Sequence, residues 1–121
     1  MLKIKAIFIS LVVLVSCSSV ATTKKESDAL LEFAIANCLF WYFKANEIPT
    51  KDIQTISGGI VEKSRYSADK FQQVALLVKG YTPKIKTKHE VDLHLARCFM
   101  LREDHEFLKE IKKLVTLNML I

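Results

Sequence analysis

Cysteine and histidine are the side chains of this sequence with the most reactive chemistry, and they are few. The chain of 121 residues has three of each: Cys17, Cys38 and Cys98, and His89, His94 and His105. His94 lies four residues after Glu90 and four before Cys98, so either pair would share one face of a helix. Such a pair could begin a metal site or a cysteine–histidine dyad.

Neither pair has a third ligand or an orienting partner at a recognisable spacing. The acidic pair Glu103 and Asp104 is better explained by a favourable position at a helix N-terminus. The aromatic run FWYF at residues 40–43 could stack a ligand, but packing in a core or a dimer explains it better. No motif assembles a nucleophile, a base and oxyanion donors. We therefore expect packing or solvated histidines, no metal site, no cofactor and no enzymatic activity.

The first 21 residues are typical of a secretory signal peptide. Lysines at positions 3 and 5 precede an apolar run over residues 6–15, about half of what a membrane-spanning helix needs. Two cleavage sites compete. Cleavage after Ala21 would leave a free periplasmic protein. Cleavage before Cys17 would follow from the resemblance of LVSC (residues 14–17) to a bacterial lipobox, and diacylated Cys17 would then anchor the protein to the membrane.

Either cleavage removes or modifies Cys17 and leaves Cys38 and Cys98 as an even pair in an oxidising compartment. This count predicts one disulfide. The alternative is two buried free thiols. A bridge between these positions closes a loop of about 60 residues, for which the chain-entropy model gives roughly 4 kcal/mol as an upper figure.

The charge balance argues against nucleic acid as a partner. The whole chain has 18 basic and 13 acidic residues, a net charge of +5. Without Lys3 and Lys5 the count is 16 against 13, a net charge of +3 with mixed signs. Such a balance is that of an ordinary solvated surface.

The hydrophobic periodicity is helical almost throughout, with only three glycines and two prolines. We expect residues 22–121 to form a single all-α domain, a small bundle of four to five short helices with one inter-helix disulfide. The predicted helices cover about residues 27–45, 50–66, 67–80, 89–101 and 105–117. The first helix is apolar almost all round, so we expect it to be central in the fold or buried in an oligomer interface as well.

Three local features refine this prediction. Gly58 and Gly59 lie inside the second helix, where they predict a kink or a close helix crossing. Thr87 and Glu90 form a capping box for the fourth helix. The predicted inward stripes include Ile53, Ile56 and Ile60 in the second helix, Phe71, Val74 and Val78 in the third, Val91, Leu95, Cys98 and Phe99 in the fourth, and Phe107, Ile111 and Val115 in the fifth.

The cysteine placement and the helix order resemble a known family. One cysteine lies in IANCLFWYF and the other in DLHLARCFML, and between them run IQTISGGIVEKSRYSADKFQQVALLVKGY and a loop. Over about residues 27–115 this resembles the periplasmic immunity proteins of type VI secretion systems that neutralise the fourth family of amidase effectors. The resemblance implies an all-α, non-enzymatic homodimer that plugs the cleft of a peptidoglycan-cleaving cysteine amidase with a loop near the second cysteine helix.

On this sequence the resemblance places the plug in the loop before the fourth helix. Its residues are Gly80, Tyr81, Thr82, Pro83, Lys84, Ile85, Lys86, Thr87 and Lys88. We expect Tyr81, Pro83, Lys84, Ile85 and Lys86 to be the most exposed. Lysines would steer the loop toward an acidic cleft, and a pre-organised loop loses little entropy on binding. The loop is richer in lysine and poorer in acidic and asparagine residues than the family pattern, so its effector could differ. A plain solvated linker is the alternative.

Two other functions remain open at this stage. The chain could be a small envelope lipoprotein with a structural or assembly role, bound through the apolar face around residues 40–43. A carrier of a hydrophobic ligand in the bundle core is a weaker option. All three hypotheses share the predicted periplasmic location, with or without a lipid anchor.

Overall fold

Five helices form the part of the chain that the computed structural model describes, residues 18–119, with side chains described for residues 28–116. They are α1 (Ser18–Ala45), α2 (Lys51–Lys63), α3 (Ala68–Lys79), α4 (Leu93–Met100) and α5 (His105–Met119). This range contains no strand, so the prediction of a small all-α fold is confirmed. The predicted lipobox, Cys17 and most of the predicted signal peptide lie outside the described residues.

Helix α1 is the centre of the bundle. Leu30, Ala34 and Cys38 are spaced four residues apart, so they lie on one face, and all three are fully buried. Ala36, on another side of the same helix, is buried as well. Helix α1 contacts each of the other four helices. Helix α1, which is apolar almost all round, therefore packs against other helices on several of its sides.

The end of α1 is a Schellman turn built without glycine. The N–H of Ile48 donates to the carbonyl of Phe43 at 2.9 Å, and the N–H of Glu47 donates to the carbonyl of Lys44 at 3.4 Å. Glu47 adopts a φ of 57°, the left-handed conformation that this turn requires. Pro49 follows and cannot continue a helix. The chain thus reverses into α2.

Helices α3 and α5 complete the core with the stripes that the sequence predicts. The buried side chains are Phe71, Val74 and Val78 in α3 and Phe107, Ile111 and Val115 in α5. The two helices also contact each other. Lys70 is buried between them, and its Nζ donates to the carbonyl of Leu114 at 2.9 Å. A buried ammonium is tolerated there because it has a hydrogen-bond acceptor.

Helix α2 departs from its predicted packing. Ile53 is buried and Ile60 packs against the core, but Ile56 is 56% exposed, so its predicted inward position is wrong. Apart from the adjacent residues and the backbone of α2 itself, no heavy atom of the described residues lies within 4 Å of the position that a Cβ would take at Gly58 or Gly59. The predicted close crossing at the glycine pair is therefore also wrong. Ile53 and Ile60, seven residues apart on one face, make the contact with the core instead.

Helix α4 begins four residues later than predicted, at Leu93. Asp92 caps it, because the carboxylate Oδ1 accepts the backbone N–H of Leu95 at 3.0 Å. The hydroxyl of Thr87 instead donates to the carbonyl of His89 at 2.7 Å, so the predicted capping box is wrong. Aspartate is a stronger N-cap than threonine, and Asp92 is the residue that caps α4.

The later start changes which side chains of the fourth element face inward. Cys98 is buried and Leu95 is partly buried, as predicted. Val91 precedes the helix and is 48% exposed, and Phe99 is 69% exposed, so both were wrongly assigned to the core. Successive helical residues are about 100° apart, and burial of Cys98 therefore turns Phe99 toward solvent.

A disulfide joins Cys38 of α1 to Cys98 of α4, with the two Cα atoms 5.5 Å apart. This confirms the predicted inter-helix bridge. Both cysteines are buried, so the bridge belongs to the core and ties the second cysteine helix to the central one. None of the helices in the described part of the chain is both long and apolar enough to cross a bilayer.

Candidate functional site

The basic segment, residues 80–88, has no regular secondary structure, and burial alternates over residues 81–86. Tyr81, Pro83 and Ile85 are partly buried, whereas Thr82, Lys84 and Lys86 are exposed. The rest of the segment, Gly80, Thr87 and Lys88, is exposed too. The lysines therefore lie on the exposed side of the segment, and Tyr81 packs against the core.

This alternation corrects one part of the sequence prediction. Of the five residues expected to be the most exposed, Lys84 and Lys86 are exposed. The expectation is wrong for Tyr81, Pro83 and Ile85, which lie on the opposite, inward side. Tyr81 therefore holds the start of the segment to the bundle, and the lysines form its free surface.

Tyr81 fixes the start of the basic segment through three contacts. Its hydroxyl donates to Oδ2 of Asp104 at 2.6 Å. Its ring packs edge-on against Phe107, with the ring centroids 5.2 Å apart. Its backbone carbonyl accepts a hydrogen bond from the guanidinium of Arg97 at 3.1 Å. The segment is thereby attached to α4 and to the beginning of α5.

Asp104 uses both carboxylate oxygens. Oδ2 accepts the Tyr81 hydroxyl, and Oδ1 accepts the backbone N–H of Phe107 at 3.0 Å, which caps α5 as the acidic pair predicted. The bond from Tyr81, and then the bond from Phe107, hold the pKa of Asp104 below its usual 3.8. Burial, and then the hydrogen bond to Asp104, raise the pKa of Tyr81 well above its usual 10.0.

The far end of the connection is fixed by α4. Asp92 caps this helix, and Cys98 ties it covalently to α1. Between the two ends, the backbone of residues 82–91 forms no backbone–backbone hydrogen bond with any residue that the structure describes. The connection thus has two fixed ends and a middle in which the carbonyl of His89 accepts the hydroxyl of Thr87.

The structure places His94 beside the disulfide. A ring nitrogen of His94 and the sulfurs of Cys38 and Cys98 lie within 4.8 Å of one another. The His94 ring also packs edge-on against Tyr42, with the ring centroids 5.5 Å apart. The spacing of His94 and Cys98 was visible in the sequence. The third member, Cys38, was not, because it comes from a distant part of the chain.

The remaining candidates stay apart from this cluster. His89, His105 and Glu90 are exposed. In the aromatic run, Trp41 is 46% exposed, and the ammonium of Lys44 lies over its ring, 5.2 Å from the ring centroid. The oxidised cysteines hold no thiolate, so this state offers neither a nucleophile nor a thiolate ligand.

Comparisons of the chain with models of protein families, with curated proteins and with solved structures find no match. The function is therefore inferred from the geometry of the basic segment and from the resemblance described above.

Proposed function

We propose that this protein is a periplasmic immunity protein. It binds a peptidoglycan-cleaving cysteine amidase delivered by a type VI secretion system and occludes its active site, and it catalyses no reaction itself. The basic segment enters the catalytic cleft. Diacylated Cys17 anchors the protein to the membrane if the lipobox is cleaved, and a soluble periplasmic protein results if cleavage follows Ala21.

The observation that carries this proposal is the two-ended attachment of the basic segment. Tyr81 holds its start through Asp104, Phe107 and Arg97. The disulfide holds the helix that follows. A segment held in place before binding loses less conformational entropy when it enters a cleft. This is the property that an occluding plug needs and that a plain linker lacks.

The row of lysines supports an acidic partner surface. Lys84, Lys86 and Lys88 are exposed at every second position of the basic segment. The three exposed lysines lie within five residues and concentrate positive charge on one surface segment. Concentrated positive charge speeds encounter with a cleft of opposite charge and makes the association rate dependent on salt.

The test compares two variants with the same net charge. One carries Lys84→Gln, Lys86→Gln and Lys88→Gln. The control carries Lys63→Gln, Lys109→Gln and Lys112→Gln, which change three exposed lysines elsewhere. With the secreted amidase encoded beside this gene, the first variant should associate about tenfold more slowly and lose most of its salt dependence. The control should associate at a rate near that of the wild type.

Two results would refute the proposal in this assay. Equal association rates for the two variants would show that the basic segment does not meet the amidase. The absence of any binding to the wild-type protein would remove the immunity function altogether.

A homodimer is part of the proposal. Phe99 and Leu93 of α4 are 69% and 59% exposed, and Trp41 of α1, on the helix joined to α4 by the disulfide, is 46% exposed. Large exposed apolar side chains are typical of the centre of an interface. Sedimentation equilibrium should give twice the mass of the chain, and Phe99→Ser should shift the protein to the monomer. Leu76→Ser, at an equally exposed residue of α3, is the control.

The exposure of Trp41 favours one alternative, a small envelope lipoprotein with a structural or assembly role that binds through this apolar face. The two functions respond to different changes. Replacement of residues 81–86 with a glycine–serine linker should abolish immunity but leave an assembly role intact.

A further inference from the structure

The Cys38–Cys98 disulfide has a chemical neighbour that immunity does not require. A ring nitrogen of His94 lies within 4.8 Å of both sulfur atoms. Nε2 of His94 is shielded from solvent and has no hydrogen-bond partner among the described residues. Buried polar atoms of proteins are nearly always hydrogen-bonded. A histidine that has an unpartnered ring nitrogen and lies next to two sulfurs is therefore an unusual arrangement in a core.

We propose that Cys38, His94 and Cys98 form a Zn²⁺ site when the disulfide is reduced. Two thiolates and one imidazole are ligands that Zn²⁺ accepts, with a water molecule in the fourth position. Thiolate ligands disfavour hard cations such as Mg²⁺ and Ca²⁺. This site is independent of the amidase, so it stands or falls apart from the proposed immunity function.

The geometry suits a tetrahedral ion. Zn–S bonds of about 2.3 Å place two sulfurs about 3.8 Å apart, and a Zn–N bond of about 2.0 Å places the nitrogen at a similar distance from each sulfur. The three ligand atoms already lie within 4.8 Å of one another. With the Cα atoms 5.5 Å apart, rotation of the two cysteine side chains can separate the sulfurs around an ion.

The reaction has two steps. A phosphine takes up one oxygen atom from water to become a phosphine oxide, and its two electrons, with two protons, convert the disulfide to two thiols. Zn²⁺ then displaces the two thiol protons and accepts a lone pair from neutral His94.

The consequence is that α1 and α4 stay joined in both redox states. In the oxidised protein the covalent bond joins them, and in the reduced protein the ion bridges Cys38 on α1 to His94 and Cys98 on α4. A bound ion stabilises the folded state by mass action, because the unfolded chain does not hold the three ligands together.

The test uses Co²⁺ as a spectroscopic probe and full-length protein that carries Cys17→Ser, so that Cys17 cannot contribute a thiol. The protein is reduced with a phosphine, freed from it under nitrogen, and titrated with Co²⁺ before displacement by Zn²⁺. We expect one equivalent of Co²⁺ to give a thiolate-to-metal charge-transfer band that Zn²⁺ abolishes. His94→Gln should weaken Co²⁺ binding at least about tenfold, since even outer-shell changes weaken metal sites by that factor. His105→Gln, at an exposed histidine, is the control.

Three results would overturn the inference: no thiolate band in the reduced protein, an equal band in the oxidised protein, or equal affinity in the His94→Gln variant. Far-UV circular dichroism measures the helicity of each protein and shows whether it is folded. If the reduced protein loses helicity without metal, Zn²⁺ must restore it in the parent protein and not in His94→Gln. Failure of that restoration would equally overturn the site.

Discussion

At the residue scale, the hydrogen bond between Tyr81 and Asp104 links the basic segment to the bundle. The two atoms are 2.6 Å apart, and the same carboxylate caps α5. Neither partner could be identified from sequence. The two residues are 23 positions apart, and no sequence pattern indicates that residues at this separation are in contact. A tyrosine at the start of a lysine-rich loop is more typical of an exposed residue that contacts a partner. Asp104 was predicted only as a helix-terminal acid.

Tyr81→Phe should lower the free energy of unfolding by about 1 kcal/mol, the scale of one hydrogen bond to a partly exposed carboxylate. Urea denaturation measures the change. Asp104→Ala and the double variant complete a thermodynamic cycle that isolates the Tyr81–Asp104 interaction from the loss of the α5 cap. A coupling energy near zero would show that the hydroxyl contributes nothing to the attachment of the basic segment.

The same interaction predicts a pH dependence. The pKa of Asp104 is lowered in the folded protein, so its contribution is complete above the usual value of 3.8 and is lost as the pH falls through the lowered pKa. The pKa of Tyr81 is raised, so its contribution persists below 10.0 and is lost only at higher pH. The stability difference between wild type and Tyr81→Phe should therefore be constant from about pH 5 to pH 9 and vanish in acid. A difference that does not shrink as the pH falls below 3.8 would contradict this.

At the element scale, the hydrophobic periodicity correctly predicts which side chains of α3 and α5 are buried. The stripes of α3 and α5 are buried as their spacing requires. The predicted start of α4 was wrong because two possible caps, Thr87 with Glu90 and Asp92, lie within a few residues of each other. The capping-box pattern of Thr87 and Glu90 was preferred in the prediction, whereas Asp92 caps the helix. The exposure of Ile56 was missed because only three-dimensional packing decides which side of a short helix is covered.

The glycine pair of α2 gives the prediction at this scale. Gly58→Ala should stabilise the protein by up to about 1 kcal/mol, because the new methyl group meets no neighbour and alanine is the better helix former. Thermal and urea denaturation measure it. Gln54→Gly, at another exposed position of α2, should destabilise by a similar amount. Marked destabilisation by Gly58→Ala would contradict this and would support the close helix crossing that the sequence predicted.

At the scale of the whole molecule, one covalent link holds the helix that follows the basic segment against the central helix. The sequence could predict this link because the predicted export would leave only two cysteines, and their positions fall on core-facing stripes. It could not predict that His94 would join them, or that Tyr81 would reach Asp104. Both contacts depend on how helices distant in sequence are placed together in the fold.

Removal of the disulfide tests that link. Cys38→Ser with Cys98→Ser should lower the free energy of unfolding by up to about 4 kcal/mol, the chain-entropy value for a closed loop of this length. Hydrogen exchange of α4, residues 93–100, should become faster in the same variant, since α4 is released from α1. Cys17→Ser is the control and should change neither quantity. A loss below about 1 kcal/mol would show that core packing alone holds α4 in place.

Inhibition of the amidase is the most direct measurement of the central claim. The proposed function predicts that a secreted cysteine amidase is encoded beside this gene, and hydrolysis of peptidoglycan by that enzyme is followed as this protein is added. We predict that hydrolysis stops at one chain per amidase, and that the Lys84→Gln, Lys86→Gln, Lys88→Gln variant requires a clear excess to reach the same inhibition. Full hydrolysis in the presence of excess wild-type protein would contradict the account.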